Sequence, residues 1–246
     1  MKLDSNTVLI TGGATGIGLA LAERFLKAGS EVIICGRRDD KLREARAKNP
    51  RLHTRVCDVS IEEERRELAA WATAEFPGLN VLVNNAGAWH SLRLDQPAPW
   101  AGVHGDVATN LEAPIHLSHL MIPHLVKQKN PAIAIVTSGL AFVPMASVPV
   151  YCATKAALHS FCLSMRHQLS PGPIQVVEIA PPHVNTDLGT PGSNAAGMPL
   201  GEFADAVMAG LARGDLEVTC GFSTKVSQAS RKEIDAIFKQ LNSQAH

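Results

Sequence analysis

The chain has one tyrosine, Tyr151, among 246 residues, and aromatic residues make up only 4% of it. It also lacks a charge of either sign, because 23 Lys and Arg face 23 Asp and Glu. A nucleic-acid or anionic-membrane partner calls for a basic excess, so neither is expected. The five cysteines are odd in number and contain no CxxC pair. That excludes a disulfide framework and a zinc ribbon, and it points to a reducing compartment. Cys35 and Cys57 lie in apolar, strand-like runs and read as core thiols. No apolar run approaches the roughly 18 residues of a membrane span. The opening "MKLDSNTVLITGG" enters an apolar strand at once, with no h-region or cleavage site, so no signal peptide is expected and the cytoplasm is the expected location. Internal repeats and low-complexity tracts are absent.

What is present is a regular alternation. With 46% apolar residues, the chain can bury a sizeable core, and an α/β fold of this length often forms one domain. Strands are expected at Thr7–Thr11, Glu31–Cys35, Leu52–Val56, Asn80–Asn84, Ile133–Thr137, Ile174–Ile179 and Leu216–Cys220. Most are apolar nearly throughout, as strands covered on both faces must be. Helical patterns fill the gaps, among them "IEEERRELAAWATAEF" and a long run from residue 107 to about 129. The expectation is a single-domain α/β chain over residues 1–246. Its Rossmann-type, doubly wound parallel sheet would have about seven strands with helices on both faces. The Gly-, Pro- and Ser-rich segment 188–201 would follow the sixth strand, on the edge where such sheets bind ligands, and reads as a mobile substrate loop.

The first turn, "TGGATGIG", sits between a strand and a helix. Gly12, Gly16 and Gly18 permit a tight turn and close approach of a pyrophosphate, which the free N–H groups of the helix start would bind. A P-loop is disfavoured because no Lys-Ser/Thr follows the last glycine. The second strand ends in "CGRRDDK", where a carboxylate would have favoured NAD. Gly36 leaves room there, and Arg37 and Arg38 can pair with a 2′-phosphate, so NADP(H) is preferred, with NAD(H) possible. Asp58, after the third strand, can accept a hydrogen bond from an adenine amino group.

Tyr151 lies four residues before Lys155, so a helix puts phenol and ammonium on one face. A free phenol ionises near ~10. An ammonium in reach is expected to lower that by roughly 1–3 units and fit the group for acid–base work. Ser138, at a strand end, can donate to a substrate oxygen on which negative charge develops.

These motifs, in order, resemble the short-chain dehydrogenase/reductase family across nearly the whole chain: "TGGATGIG", "NNAG" at Asn84–Gly87, the serine of "VTSG", and "YCATK" at Tyr151–Lys155. "NTVLITGG", "SGLAFVP" and "PVYCATKAALHS" further resemble its DltE-like branch. The resemblance implies a hydride-transferring enzyme with Asn110, Ser138, Tyr151 and Lys155 as catalytic residues. Asn110 would hold a water that links Lys155 to solvent. Cofactor contacts are implied at Gly12, Thr15, Gly16, Ile17, Gly18, Arg37, Arg38, Asp58, Val59, Asn85, Ala86, Gly87, Tyr151, Lys155, Pro181, Val184 and Thr186. One departure is "APPHVNTDL", where Pro182 and His183 stand in place of the family's usual Pro-Gly. Pro182 would stiffen the loop, and His183 reads as a partly exposed loop residue.

The expected function is carbonyl reduction or alcohol oxidation with NADP(H), on a small-molecule substrate and in a homodimer or homotetramer. Two other readings stay open: a non-catalytic dinucleotide-binding regulator, and a 3-oxoacyl thioester reductase. No metal site is expected. His116 and His119, with Glu112 one turn earlier, read as a helix-face cluster. The helices from residue 107 and from about residue 150 resemble the family's dimer-forming pair, with Ala153, Ala156 and Ala157 small enough for close packing. The amphipathic end "KEIDAIFKQLNSQAH" reads as core cover or a subunit contact.

Overall fold

A computed structural model describes residues 1–97, 99–189, 192 and 194–243. Thr190, Pro191 and Ser193 of the expected substrate loop, and Gln244, Ala245 and His246 of the amphipathic end, lie outside the described residues.

Seven parallel strands form one sheet in the order β3-β2-β1-β4-β5-β6-β7. They are β1 (Thr7–Thr11), β2 (Glu31–Gly36), β3 (Leu52–Val56), β4 (Leu79–Asn84), β5 (Ala132–Val136), β6 (Gln175–Ala180) and β7 (Glu217–Thr219). Each expected strand is present, two with the expected ends and five with ends moved by one residue. The helices are α1 (Gly16–Lys27), α2 (Asp39–Lys48), α3 (Glu62–Glu75), α4 (Trp100–Val107), α5 (Ala113–Leu125), α6 (Pro149–Gln168), α7 (Leu200–Arg213), α8 (Phe222–Ser227) and α9 (Arg231–Leu241).

Strand alternation divides the core into two layers. Val8, Ile10, Val32, Ile34, Val81 and Val83 face α1 and α7, where Leu21, Phe25, Phe203 and Val207 cover them. Leu9, Ile33, Leu82, Ile133 and Ile135 face the other way, onto Leu68, Leu117, Met121, Leu158 and Cys162 of α3, α5 and α6. Each such side chain contributes about 1.5–3 kcal/mol on burial, which is why these strands are apolar at consecutive positions. The strand order reverses between β1 and β4, and that opens the crevice in which doubly wound sheets take their ligands.

Three expectations need correction. The long helical run begins at Trp100, not at residue 107, and ends at Leu125. Gly102 and Gly105 weaken the pattern of α4, and Pro99 marks its true start. Between α4 and α5 the chain widens into a π-helical turn, Ala108–Glu112. The expected loop 188–201 overruns by two residues, because Leu200 and Gly201 already belong to α7. Finally, α9 buries none of its residues, so it does not cover the core of this chain; its first turn is closed by a Ser230–Glu233 capping box.

Candidate active site

The site starts at the β1 end. Thr11 accepts hydrogen bonds through Oγ1 from the N–H groups of Asn85 and Ala86, each at 3.0 Å. Asn85 returns the contact, donating through Nδ2 to the main-chain oxygens of Thr11 (2.9 Å) and Gly12 (3.2 Å). The "NNAG" segment is thus a brace for the glycine turn. Gly12 takes φ +63°, and a Cβ there would lie 2.8 Å from the Cα of Ala86. Gly18 has no room for another reason: its Cβ would lie 2.4 Å from the Gly12 oxygen. Thr186 stands beside Gly16, so the segment after β6 meets the turn.

The residues present fit a dinucleotide. Helix α1 has no acidic residue in its first turn, and Thr15 at its N-cap makes no side-chain capping bond. The N–H groups of that turn and its positive partial charge suit a phosphate. At the tip of β2, a Cβ on Gly36 would meet only the Cβ of Ala14, at 3.9 Å. Arg38 donates to Thr15 Oγ1 at 3.0 Å, and Arg37 lies 3.7 Å from Asp58. Asp58 and Val59 are fastened from α3. Glu64 accepts from the Asp58 N–H at 2.6 Å, and Arg65 donates to the Val59 oxygen at 2.7 Å.

The expected catalytic side chains gather at the β5 end. Ser138 caps a short helical turn, its Oγ accepting from the Leu140 N–H at 3.1 Å. The next N–H, of Gly139, donates to the Pro181 oxygen at 2.8 Å, which ties this turn to the segment carrying Val184 and Thr186. Tyr151 and Lys155 lie on the buried face of α6, only 7% and 3% exposed. Trp89 meets the Tyr151 ring edge-on, with centroids 5.5 Å apart. Leu140, Met145 and Leu188 pack with Trp89 against the small apolar cluster of Val148, Tyr151 and Cys152. Phe142 instead packs on His159.

The electrostatics depart from expectation. The Tyr151 phenol is not lowered but pushed up to about 12, because burial disfavours the phenolate more than the Ser138 hydroxyl favours it. Lys155 sits over the ring, 5.6 Å from its centroid, and its Nζ donates to the Val136 oxygen at 2.7 Å. Burial brings the ammonium down to about 8.

Asn110 is held by a segment 22 residues away. It is fully buried in the π-turn, and its side chain is engaged at both ends by Ala88. Oδ1 accepts from the Ala88 N–H at 2.8 Å, and Nδ2 donates to the Ala88 oxygen at 2.7 Å.

Other candidates resolve as contacts within the chain. His183 is exposed and meets Asn194 Oδ1 at 2.8 Å. Asn194, which the sequence did not single out, donates to the Thr186 and Leu188 oxygens at 2.8 and 2.9 Å and so orders the start of the loop. Glu112 and His116 both engage Arg65. Among the described residues, one group has metal-ligand donors close together: His159, Glu178 and Glu217, within 4.8 Å of one another. There His159 Nδ1 lies 2.9 Å from the buried Glu178 carboxylate, within hydrogen-bond distance. No helix among the described residues is long and apolar enough to cross a membrane.

Comparison with known proteins agrees with this architecture. The short chain dehydrogenase profile matches residues 6–196. The chain belongs to the short-chain dehydrogenase/reductase family of oxidoreductases. It is 47% identical over 250 residues to the uncharacterized oxidoreductase DltE of Bacillus subtilis (strain 168), covering 99% of each chain. The fold is shared with a short-chain dehydrogenase from Sphingobium yanoikuyae in complex with NADPH, at a TM-score of 0.79 and 25% identity, covering 97% of this chain and 96% of that one. It is shared equally with 3-ketoacyl-(acyl-carrier-protein) reductase from Brucella melitensis complexed with NADH, at a TM-score of 0.81 and 24% identity, covering 90% and 99%.

Proposed function

We propose that this chain acts as one dinucleotide-binding domain that reduces a carbonyl, or oxidises the corresponding alcohol, with NADP(H) preferred over NAD(H). The observation that carries the reading is the convergence of Ser138 and Tyr151 on one buried spot, with Lys155 beside them and a braced glycine turn nearby. The bound cofactor supplies or accepts the hydride.

The residues do the rest. Ser138 donates a hydrogen bond to the substrate oxygen and stabilises the charge that develops on it. Tyr151 gives that oxygen a proton in reduction and removes it in oxidation. Lys155 keeps positive charge beside the phenol, and the Val136 oxygen fixes its position. The walls of Trp89, Leu140, Met145 and Leu188 exclude water and suit a substrate with an apolar body next to its carbonyl. Arg37 and Arg38 provide the charge for a 2′-phosphate.

A homodimer or homotetramer is part of the same reading. Ala153, Ala156 and Leu163 form an exposed face of α6, and Leu94, Val107, Leu111, Pro149 and Val150 line an apolar cleft beside it. A second reading, a non-catalytic dinucleotide-binding regulator, draws support from a phenol at about 12, too weak an acid for exchange near neutrality on its own. Tyr151→Phe separates the two. The enzyme reading expects NADPH binding to persist while reduction of a panel of apolar aldehydes and ketones falls by about 10²–10⁴. Equal turnover in the variant would overturn it.

A further inference from the structure

Arg65 stands in the charge-rich run "EEERRE", yet its side chain is fully buried. Its guanidinium reaches in three directions. Nη1 donates to the Val59 oxygen at 2.7 Å, Nη2 to Glu112 Oε1 at 2.6 Å, and Nε to His116 Nδ1 at 3.0 Å. Val59 belongs to the loop after β3, next to Asp58. Glu112 closes the π-turn, two residues after Asn110. Asn110 in turn clamps both main-chain groups of Ala88, which follows the "NNAG" brace. One side chain therefore joins the adenosine end of the crevice to its catalytic end.

Two physical facts give this contact weight. A buried guanidinium is tolerated only when its donors are engaged, so the three partners hold one another in place. A π-helical turn is rare and short, and it persists where surrounding contacts support it. The planar fork of arginine fixes angles as well as distances, which a lysine ammonium does not.

We propose that Arg65 is a positioning residue: it sets the π-turn bearing Asn110 in register with the Asp58–Val59 loop, so that the two ends of the cofactor crevice move as one piece. This deepens the reductase reading and rests on it. Glu112 is the accessible end of the link, because its own side chain is 55% exposed.

The test compares Glu112→Ala, Glu112→Gln, Arg65→Lys, Asn110→Ala and the double variant Glu112→Ala/Asn110→Ala, all as full chains with thermal unfolding recorded. Glu112→Ala is expected to lower kcat about tenfold through misplacement of Asn110, with NADPH affinity changed less than about twofold because the Val59 contact is intact. Glu112→Gln keeps an acceptor oxygen and should restore most of kcat. Arg65→Lys should lower both kcat and NADPH affinity. In the Asn110→Ala background, Glu112→Ala should cost nothing further. Additive losses in the double variant, or an unchanged kcat in both Glu112→Ala and Arg65→Lys, overturn the proposal. Hydrogen exchange at the Ala88 amide reads the same link without turnover. Faster exchange in Glu112→Ala supports it, and unchanged protection overturns it. If the wild type reduces no carbonyl at all, the reductase reading fails, and the exchange result still decides the placement.

Discussion

Lys155 lies over the face of Tyr151, 5.6 Å from the ring centroid, and gives a hydrogen bond to the Val136 oxygen at 2.7 Å. The ammonium is thus tied to the main chain of β5. Burial leaves that phenol at about 12. Added positive charge in the crevice should then bring it down. As the only tyrosine, it can be followed by tyrosinate absorbance. The expected titration lies well above 10 for the protein alone and falls on addition of NADP⁺. A midpoint unmoved by NADP⁺ would contradict the acid–base role.

The same two groups shape alkaline stability. Lys155 falls from 10.5 to about 8 on folding, so between these values the unfolded chain binds more protons, and stability rises with pH. Tyr151 rises from 10 to about 12, so the folded chain binds more protons there, and stability falls with pH. Chemical denaturation of the wild type against Lys155→Met should show the wild type gaining ground from about pH 8 to 10.5.

His159 offers a third titration, beside β6. Glu178, with which it is paired, and Glu217 raise its pKa, while burial and the charge of Arg166 oppose them. The stabilising contribution of His159 is fully present below its unfolded value near ~6.5 and is lost as pH rises through the higher folded value. Denaturation of the wild type and His159→Asn should therefore diverge in mild acid and converge as the pH becomes alkaline.

Cofactor choice can be read at β2. Arg37→Ala should weaken NADPH about 10–100-fold, the value of a charge-assisted phosphate contact, and leave NADH nearly unchanged. Equal losses for both dinucleotides would show that Arg37 does not meet the 2′-phosphate.

Gly18→Ala tests the brace. The added Cβ would press on the Gly12 oxygen and on Asn85 Nδ2, at 2.4 and 2.5 Å. A stability loss of about 1–3 kcal/mol is expected, together with a larger fall in NADPH affinity, measured by thermal unfolding and by NADPH fluorescence.

Strands and motif positions were legible because they follow short-range rules. The β4 strand "NVLVN" could be read as doubly buried from its composition, and Tyr151 and Lys155 from helical spacing. Other features depend on contacts far apart in sequence. Arg65 sits in a run that looks solvated, and nothing nearby announces that Val59, Glu112 and His116 will surround it. Thr11 opens the glycine motif, but its hydroxyl's work lies 74 residues away, at Asn85. The direction of the Tyr151 shift also turned on tertiary structure. Spacing puts an ammonium one turn away, but the shift is set by burial, which the Ser138 hydroxyl offsets only in part.

The end of β5 behaves as a ruler. Val136 receives Lys155 through its oxygen, Thr137 donates its hydroxyl to Glu178 at 2.7 Å, and Ser138 serves Tyr151. Three consecutive residues thus face three different partners. Inserting or deleting a single residue in this stretch would hand each task to the wrong side chain at once. The β5 end can therefore vary only by replacement, one residue for one.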